Sequence, residues 1–317
     1  MAKIIFFGTP QFAVPSLDAL IRNGHQVVAV VTSVDKPAGR GLKLKSSPVK
    51  EFALLHHLDI LQPVKLNEAA FISKLQSYQA DLFVVVAFRM LPESVWNMPP
   101  WGTYNVHSSL LPLYRGAAPI NRAIMDGCHQ TGVTTFKLKH EIDTGEVLLQ
   151  AQTTIGPDET AGELHDRLMG MGAALLVDTI ALIESGKAEP VPQDSLNQNR
   201  IPLPMAPKIF SHDCEIQWDW DALRIHNLVR GLSPFPGAFT TLVGLDGKNQ
   251  KIKVFKCAMT STTSICKPGT IKVKSDQLFI ATGSVDLQIL ELQLEGKKRM
   301  HTGDFLRGNN LTQSSMR

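Results

Sequence analysis

Three apolar runs set what this chain can fold into. Lys3 to Gly8, Gln26 to Thr32 and Asp81 to Ala87 are apolar almost throughout rather than at alternate positions. A strand with one face in water alternates, whereas a strand covered on both faces does not. Between the first two runs lies a helical pattern, with Leu17, Leu20 and Ile21 on one side and a stop at Gly24. Strand, helix and strand in this order predict an α/β fold on a doubly wound, mostly parallel sheet of Rossmann type, continued by Asp59-Ile60-Leu61 and by Thr103 to His107. Ligands of such sheets bind beyond the carboxyl ends of the strands. Gly8 does not open a GxGxxG, so a dinucleotide site, and a dehydrogenase with it, lacks support.

A chain of 317 residues exceeds one typical domain, so two are expected. Thr160-Ala161-Gly162-Glu163 has capping-box spacing, and Leu164, Leu168, Met171, Leu175 and Leu182 follow at helical intervals up to Gly186. From Glu189 to Pro207 periodicity disappears, which reads as a linker between a first domain over 1–188 and a second over 208–317. The second begins with a helical segment, Trp220 to Val229. Five short runs separated by glycines follow it: Phe239 to Val243, Lys251 to Ala258, Gly269 to Val273, Leu278 to Ala281 and Val285 to Leu292. Short strands with glycine turns predict a small C-terminal β-barrel of OB-like kind. Residues 1–204 carry 17 basic and 19 acidic side chains, while 205–317 carry 15 and 10, for a net +5 that suits either an anionic partner or solubility alone. Four cysteines without CxxC pairing give no metal site and require no oxidising compartment. The start has neither a charged leader nor a long apolar stretch, and no run approaches the length of a membrane span, so a cytoplasmic protein without membrane contact is expected.

The chemistry concentrates in Asn105-Val106-His107-Ser108-Ser109-Leu110-Leu111-Pro112-Leu113-Tyr114-Arg115-Gly116. Alternation along a strand points Asn105 and His107 to one face, roughly 7 Å apart. Downstream, His140-Glu141-Ile142-Asp143-Thr144-Gly145 places Asp143 in a turn between two strand-like runs. An amide, an imidazole and a carboxylate are the parts needed to stabilise an oxyanion and move a proton at an acyl carbon. A single His at a strand end is often only structural, and Asp-x-Gly favours turns by itself, so it is the combination that points to catalysis. A second stretch, Asp35 to Lys50, is longer than the ~2 to 6 residues usual for a strand-to-helix connection. It carries Lys36, Arg40, Lys43, Lys45 and Lys50 against Asp35, with Gly39 and Gly41 flanking Arg40. Such a loop is either a solvated surface or a grip on phosphates and bases.

Taken together, Asn-x-His, Ser-Leu-Leu-Pro, Arg-Gly-Ala-Ala-Pro and Asp-Thr-Gly, with Arg230-Gly-Leu-Ser-Pro-Phe-Pro-Gly-Ala238 near the C-terminus, resemble the folate-dependent formyltransferases over nearly the whole chain. The resemblance implies a formyltransferase catalytic domain followed by an OB-like tRNA-binding domain. It implies transfer of the formyl group of 10-formyltetrahydrofolate, a co-substrate rather than a bound cofactor, to the α-amino group of methionyl initiator tRNA, as translation initiation requires. Asn105, His107 and Asp143 would be catalytic; Ser109, Leu110, Leu111 and Pro112 would belong to the folate pocket; Arg40, Lys43 and Lys45 would contact tRNA; no metal would take part. A monomer that holds the acceptor arm is expected. Transfer to another amine, or non-catalytic RNA binding, are the alternatives. The chain departs from the family pattern at Phe88-Arg89, where Tyr-Gly is usual, at His140-Glu141-Ile142, where Gly-Leu is common, and at Phe235, where Trp is usual.

Overall fold

The computed structural model describes residues 1–38, 43–197, 202–244, 249–309, 311 and 314–317. It divides into two compact units, Met1–Gly116 with Gln130–Thr154 and His165–Met205, and Ala117–His129 with Ile155–Leu164 and Ala206–Arg317.

The first unit is built on a seven-stranded sheet. Its strands in chain order are β1 (Lys3–Gly8), β2 (Gln26–Val31), β3 (Ile60–Leu61), β4 (Leu82–Val86), β5 (Thr103–His107), β6 (Gln130–Lys137) and β7 (Val147–Thr154). They lie in the order β7-β6-β5-β4-β1-β2-β3. β5, β4, β1, β2 and β3 run parallel, while β6 and β7 are antiparallel to their neighbours. All five residues of β4 and five of the six in β1 are buried, which accounts for their unbroken apolarity. Gly8 closes β1 where a Cβ would run into Phe6, Ala13 and the carbonyl of Val86, so here the glycine serves close packing and not a nucleotide loop.

The capping box forms as its spacing predicts. Thr160 N–H donates to Glu163 Oε2 (2.8 Å), and Glu163 N–H donates to the Thr160 hydroxyl (3.3 Å), at the start of the helix Ala161–Glu184. The Thr160 backbone bond, with its hydroxyl, holds the Glu163 carboxyl below the usual carboxylate range. Further along, Gly172 lets this helix approach β5 at Val106. Since side chains alternate along a strand, that contact covers the face of β5 opposite Asn105 and His107.

In the second unit, the strands are β8 (Ala238–Val243), β9 (Asn249–Thr263), β10 (Ile271–Lys274), β11 (Gln277–Ile280), β12 (Val285–Leu294) and β13 (Ser315–Met316). They form an antiparallel sheet in the order β10-β11-β12-β9-β8-β13. The sheet curls as a half-barrel, and a bridge between Thr270 and Ser315 joins the two ends of its path. Trp218, Ile225, Leu228, Leu278, Leu287 and Phe305 are among the side chains filling it. The helix Ala222–Gly231 packs here, capped by the Asp221 carboxylate on Leu223 N–H (2.8 Å).

That helix also buries His226, whose Nε2 faces Asp158 Oδ1 at 3.1 Å while Nδ1 has no partner among the described residues. Burial pushes His226 below its ordinary value; Asp158 acts in the opposite direction and Arg230 in the same one. The unfolded chain takes up a proton here below about pH 6.5, whereas the folded chain does so only at lower pH. Stability from this residue is therefore present above the unfolded value and declines as pH falls below it. Urea titrations at pH 7.5 and 5.5 should show a lower midpoint at the acid pH, and a smaller difference in His226→Gln.

The stretch between Glu189 and Pro207 is more ordered than its sequence suggests. Val191 exchanges two backbone hydrogen bonds with Val147 (2.8 Å each), and Gln193–Leu196 forms one helical turn. Its bonds run to residues far away in the chain, so no local periodicity announces them. Among the described residues no helix is long and apolar enough to cross a membrane.

Candidate active site

β5 lies at the seam of the sheet. On one side Asn105 pairs in parallel with Val85 of β4, and on the other Asn105 and His107 face Phe136 and Thr134 of antiparallel β6. Asn105 is half-buried, and among the described residues nothing takes up its carboxamide. His107 is buried, 7% exposed. Its Nδ1 lies 3.0 Å from Ser109 Oγ, and the Ser109 hydroxyl donates to Leu113 O at 2.6 Å. Because Ser109 has a single proton and gives it to Leu113, its oxygen faces His107 as an acceptor, so Nδ1 is the nitrogen bearing hydrogen.

On the other side of the ring, Nε2 is 3.4 Å from Asp143 Oδ2 and 3.4 Å from Gly116 O. Those distances sit at the far edge of hydrogen bonding, so Nε2 is the ring atom with slack. The Asp143 carboxylate is fixed on its own account, since Gly116 N–H donates to Oδ2 at 3.0 Å. Asp143 adopts a left-handed backbone (φ 54°), a region that short polar residues tolerate better than most.

Asp143 arrives from an unexpected direction. β6 is antiparallel to β5, so the loop after Lys137 leaves the sheet beside Thr103, at the start of β5, where Leu138 N–H donates to Thr103 O. At ~3.3 Å per residue, the loop must turn back over about 13 Å to meet His107. Gly145 makes the return possible by lying against the carbonyl of Lys137 and the ring of Phe136, where a Cβ would not fit.

The segment after His107 is held from the neighbouring strands. Thr134 donates its hydroxyl to Ser109 O (2.7 Å) and accepts from Leu111 N–H (3.1 Å), while Gln150 Nε2 donates to Leu111 O (2.8 Å). Ser109, Leu111 and Pro112 are buried, and Leu110 keeps part of its side chain accessible. Leu111 packs with Phe136 and Val147. A cavity of about 490 Å³ opens beside the Asp143 turn, lined by Trp96, Arg115, Lys139, His140, Glu141 and Gln193 among others; none of Ser109 to Pro112 lines it.

The structure thus brings Asn105, His107, Ser109 and Asp143 to one place. The basic loop is a separate matter: Lys36–Ala38 and Lys43–Lys45 form a two-stranded antiparallel ribbon on which Lys45 is exposed, and Arg40 lies outside the described residues. Lys50 is not displayed for a ligand, because its Nζ bonds Asp35 Oδ2 at 2.6 Å, and that contact with Gln62 holds the Asp35 carboxyl below its usual range. Arg89 is likewise engaged, donating to Val64 O (2.8 Å) and Pro63 O (2.6 Å).

Sequence reasoning missed Thr134, Gln150 and Gln193. The first two hold the segment after His107, and the third reaches the backbone on both sides of the Asp143 turn, donating to Asp143 O and Gly145 O. Their partners are 25, 39 and 50 residues away in the chain, so a local motif could not reveal them.

Comparison with known proteins shows the family. Residues 2–180 match the formyl transferase family, and residues 208–310 match the formyl transferase C-terminal domain. The methionyl-tRNA formyltransferase of Bacteroides fragilis is 46% identical over 314 residues, covering 98% of this chain and 96% of the relative. That of Porphyromonas gingivalis is 48% identical over 308 residues, covering 96% and 95%. Among solved structures, the N-formyltransferase from Helicobacter canadensis, in complex with folinic acid and dTDP-3-aminofucose, aligns with a TM-score of 0.65 at 19% identity. The alignment covers 95% of this chain and all of that one, a likeness of fold.

Proposed function

We propose that this chain, which belongs to the formyl transferase family, passes the formyl group of 10-formyltetrahydrofolate to the α-amino group of methionyl initiator tRNA. The observation that carries the chemistry is the approach of the slack Nε2 of His107 to the carboxylate of Asp143, two residues along β5 from Asn105, whose carboxamide has no partner among the described residues. The acceptor follows from relatives at 46% and 48% identity over almost the whole chain.

The reacting amine needs little help to lose its proton, since an α-amino group ordinarily titrates at ~7.7 to 8.0. Its nitrogen attacks the formyl carbon and a C–N bond forms, leaving negative charge on the formyl oxygen. Asn105 donates through its side-chain NH2 to that oxygen, and His107, whose Nδ1 hydrogen is committed to Ser109, donates from Nε2 in its doubly protonated, imidazolium form. Asp143 holds His107 in place and takes the amine proton through water, which ends on the folate nitrogen as the old C–N bond breaks. Ser109 orients the imidazole, while Leu110 and the backbone of Ser109 to Pro112 offer the folate its wall. Folate supplies the one-carbon chemistry as co-substrate.

For the RNA, Arg40, Lys43 and Lys45 of the basic stretch Asp35 to Lys50 and the basic 208–317 domain are the contacts we assign, with 1–188 carrying the catalytic groups and the enzyme acting as a cytoplasmic monomer. The test is transfer of labelled formyl to methionyl initiator tRNA. The intact protein should label the tRNA, and Arg40→Ala should raise KM for tRNA far more than it lowers kcat. Affinity for the tRNA should fall with salt, with a log-log slope of roughly −0.7 to −0.9 per phosphate contacted. Folate deformylation without labelling of the tRNA would remove the acceptor from this reading and leave the chemistry.

A further inference from the structure

Gln193 is a buried amide, 3% exposed, at the start of the short helix Gln193–Leu196. Its Nε2 donates to Asp143 O at 2.9 Å and to Gly145 O at 2.7 Å, and its Oε1 accepts from Arg115 Nε at 2.8 Å. Both N–H groups and the oxygen are therefore used, and they join two turns that no backbone pairing among the described residues joins directly. One turn carries Asp143. The other carries Gly116, whose N–H holds the Asp143 carboxylate and whose carbonyl stands 3.4 Å from His107 Nε2.

We propose that Gln193 is a positioning residue that sets the Asp143 carboxylate against His107, acting on the reaction through Asp143 alone. The proposal rests on the assignment of Asn105, His107 and Asp143 made above. The chemistry of the position calls for an amide. Glutamate in its place keeps an acceptor for Arg115 but turns a second oxygen toward the carbonyls of residues 143 and 145, and methionine fills the volume with no donor at all. Asp143 is left-handed in a loop that turns back on itself, and Gln193 clamps its backbone from outside that loop.

The experiment compares Gln193→Met, Gln193→Glu, Asp143→Asn and the double variants in the formyl-transfer assay, with KM, kcat and the pH profile of kcat measured across pH 6 to 9. Gln193→Glu retains a bond to Arg115 and is the variant chosen to remain folded if Gln193→Met does not; thermal unfolding of each reports this. Loss of alignment by about 1 Å costs on the order of 10²-fold in rate. The expected result is a kcat lowered about 10- to 10²-fold in both single variants, a displaced pH profile, and KM for both substrates within about twofold. In the Asp143→Asn background the Gln193 substitutions should add almost nothing, because two residues acting through one group are not additive. Wild-type kcat in the Gln193 variants, or a loss that multiplies with that of Asp143→Asn, overturns the proposal. Wild-type kcat in Asp143→Asn overturns the assignment of the site, and the proposal with it.

Discussion

Replacing His107 by alanine is expected to lower formyl transfer by about 10²- to 10⁴-fold, the usual contribution of a positioned acid or base. The ring cannot be replaced by a neighbour, because Ser109 and Asp143 both point at it and neither can donate with charge to the developing oxyanion. It also carries a structural load, as its removal leaves Ser109 Oγ without its donor at a site 1% exposed, a loss of about 1 to 3 kcal/mol by the usual cost of an unmatched buried group. Asn105→Ala separates the two effects. Its carboxamide has no protein partner among the described residues, so kcat should fall by ~10²- to 10³-fold while the urea midpoint stays where it was. An Asn105→Ala protein that transfers formyl at the wild-type rate would remove the amide from the oxyanion site.

The other large effect is expected from a glycine that touches no substrate. In Gly145→Ala the new methyl group overlaps the backbone carbonyl of Lys137 and meets the Phe136 ring, both at the C-terminal end of β6, which is hydrogen-bonded to β5 and β7. Strand β6 is held on both sides and cannot withdraw, so the loop must. Accommodating one extra methyl in packed surroundings ordinarily costs ~1 to 3 kcal/mol, and the loop that moves carries Asp143 two residues away. The variant should therefore unfold at lower urea and also turn over at least about 10²-fold more slowly in the fraction that is folded. Gly172→Ala makes an informative control: its methyl presses on Val106, on the opposite face of β5, so stability should suffer more than chemistry. Equal kcat losses in the two variants would mean that the Asp143 loop has no privileged place in the reaction.

The parts of this molecule legible in its sequence are those written locally. β1, β2 and β4 announce themselves by unbroken apolarity, and the Thr160 and Glu163 capping pair by its spacing. Glycine turns mark out β8 to β12 to within a few residues, although β9 runs well past Ala258, to Thr263. Asn105, His107 and Asp143 were legible as residue types in a pattern, and the structure brings His107 and Asp143 within 3.4 Å. What the sequence does not disclose is written at a distance. Thr134 looks like any strand threonine, Gln150 like any exposed polar residue, and Gln193 lies in a stretch whose lack of periodicity reads as linker. The direction of β6 is equally hidden, for an antiparallel strand buried over six of its eight residues has the apolar content of a parallel one.

That direction has a consequence for how the two substitutable properties of this enzyme, persistence and turnover, part company. The excursion from Leu138 to Glu146 is nine residues long, where a hairpin usually needs 2 to 5. Closing a longer loop is cheap in chain entropy, about 0.6 kcal/mol for each doubling of length, so a residue or two inserted before Asp143 costs the folded state chiefly the bonds of Gly116 and Gln193 to that turn. The carboxylate at its far end, however, would be carried out of reach of His107. Length variation here is thus a modest cost in any screen for folded protein and decisive for one that counts formyl groups.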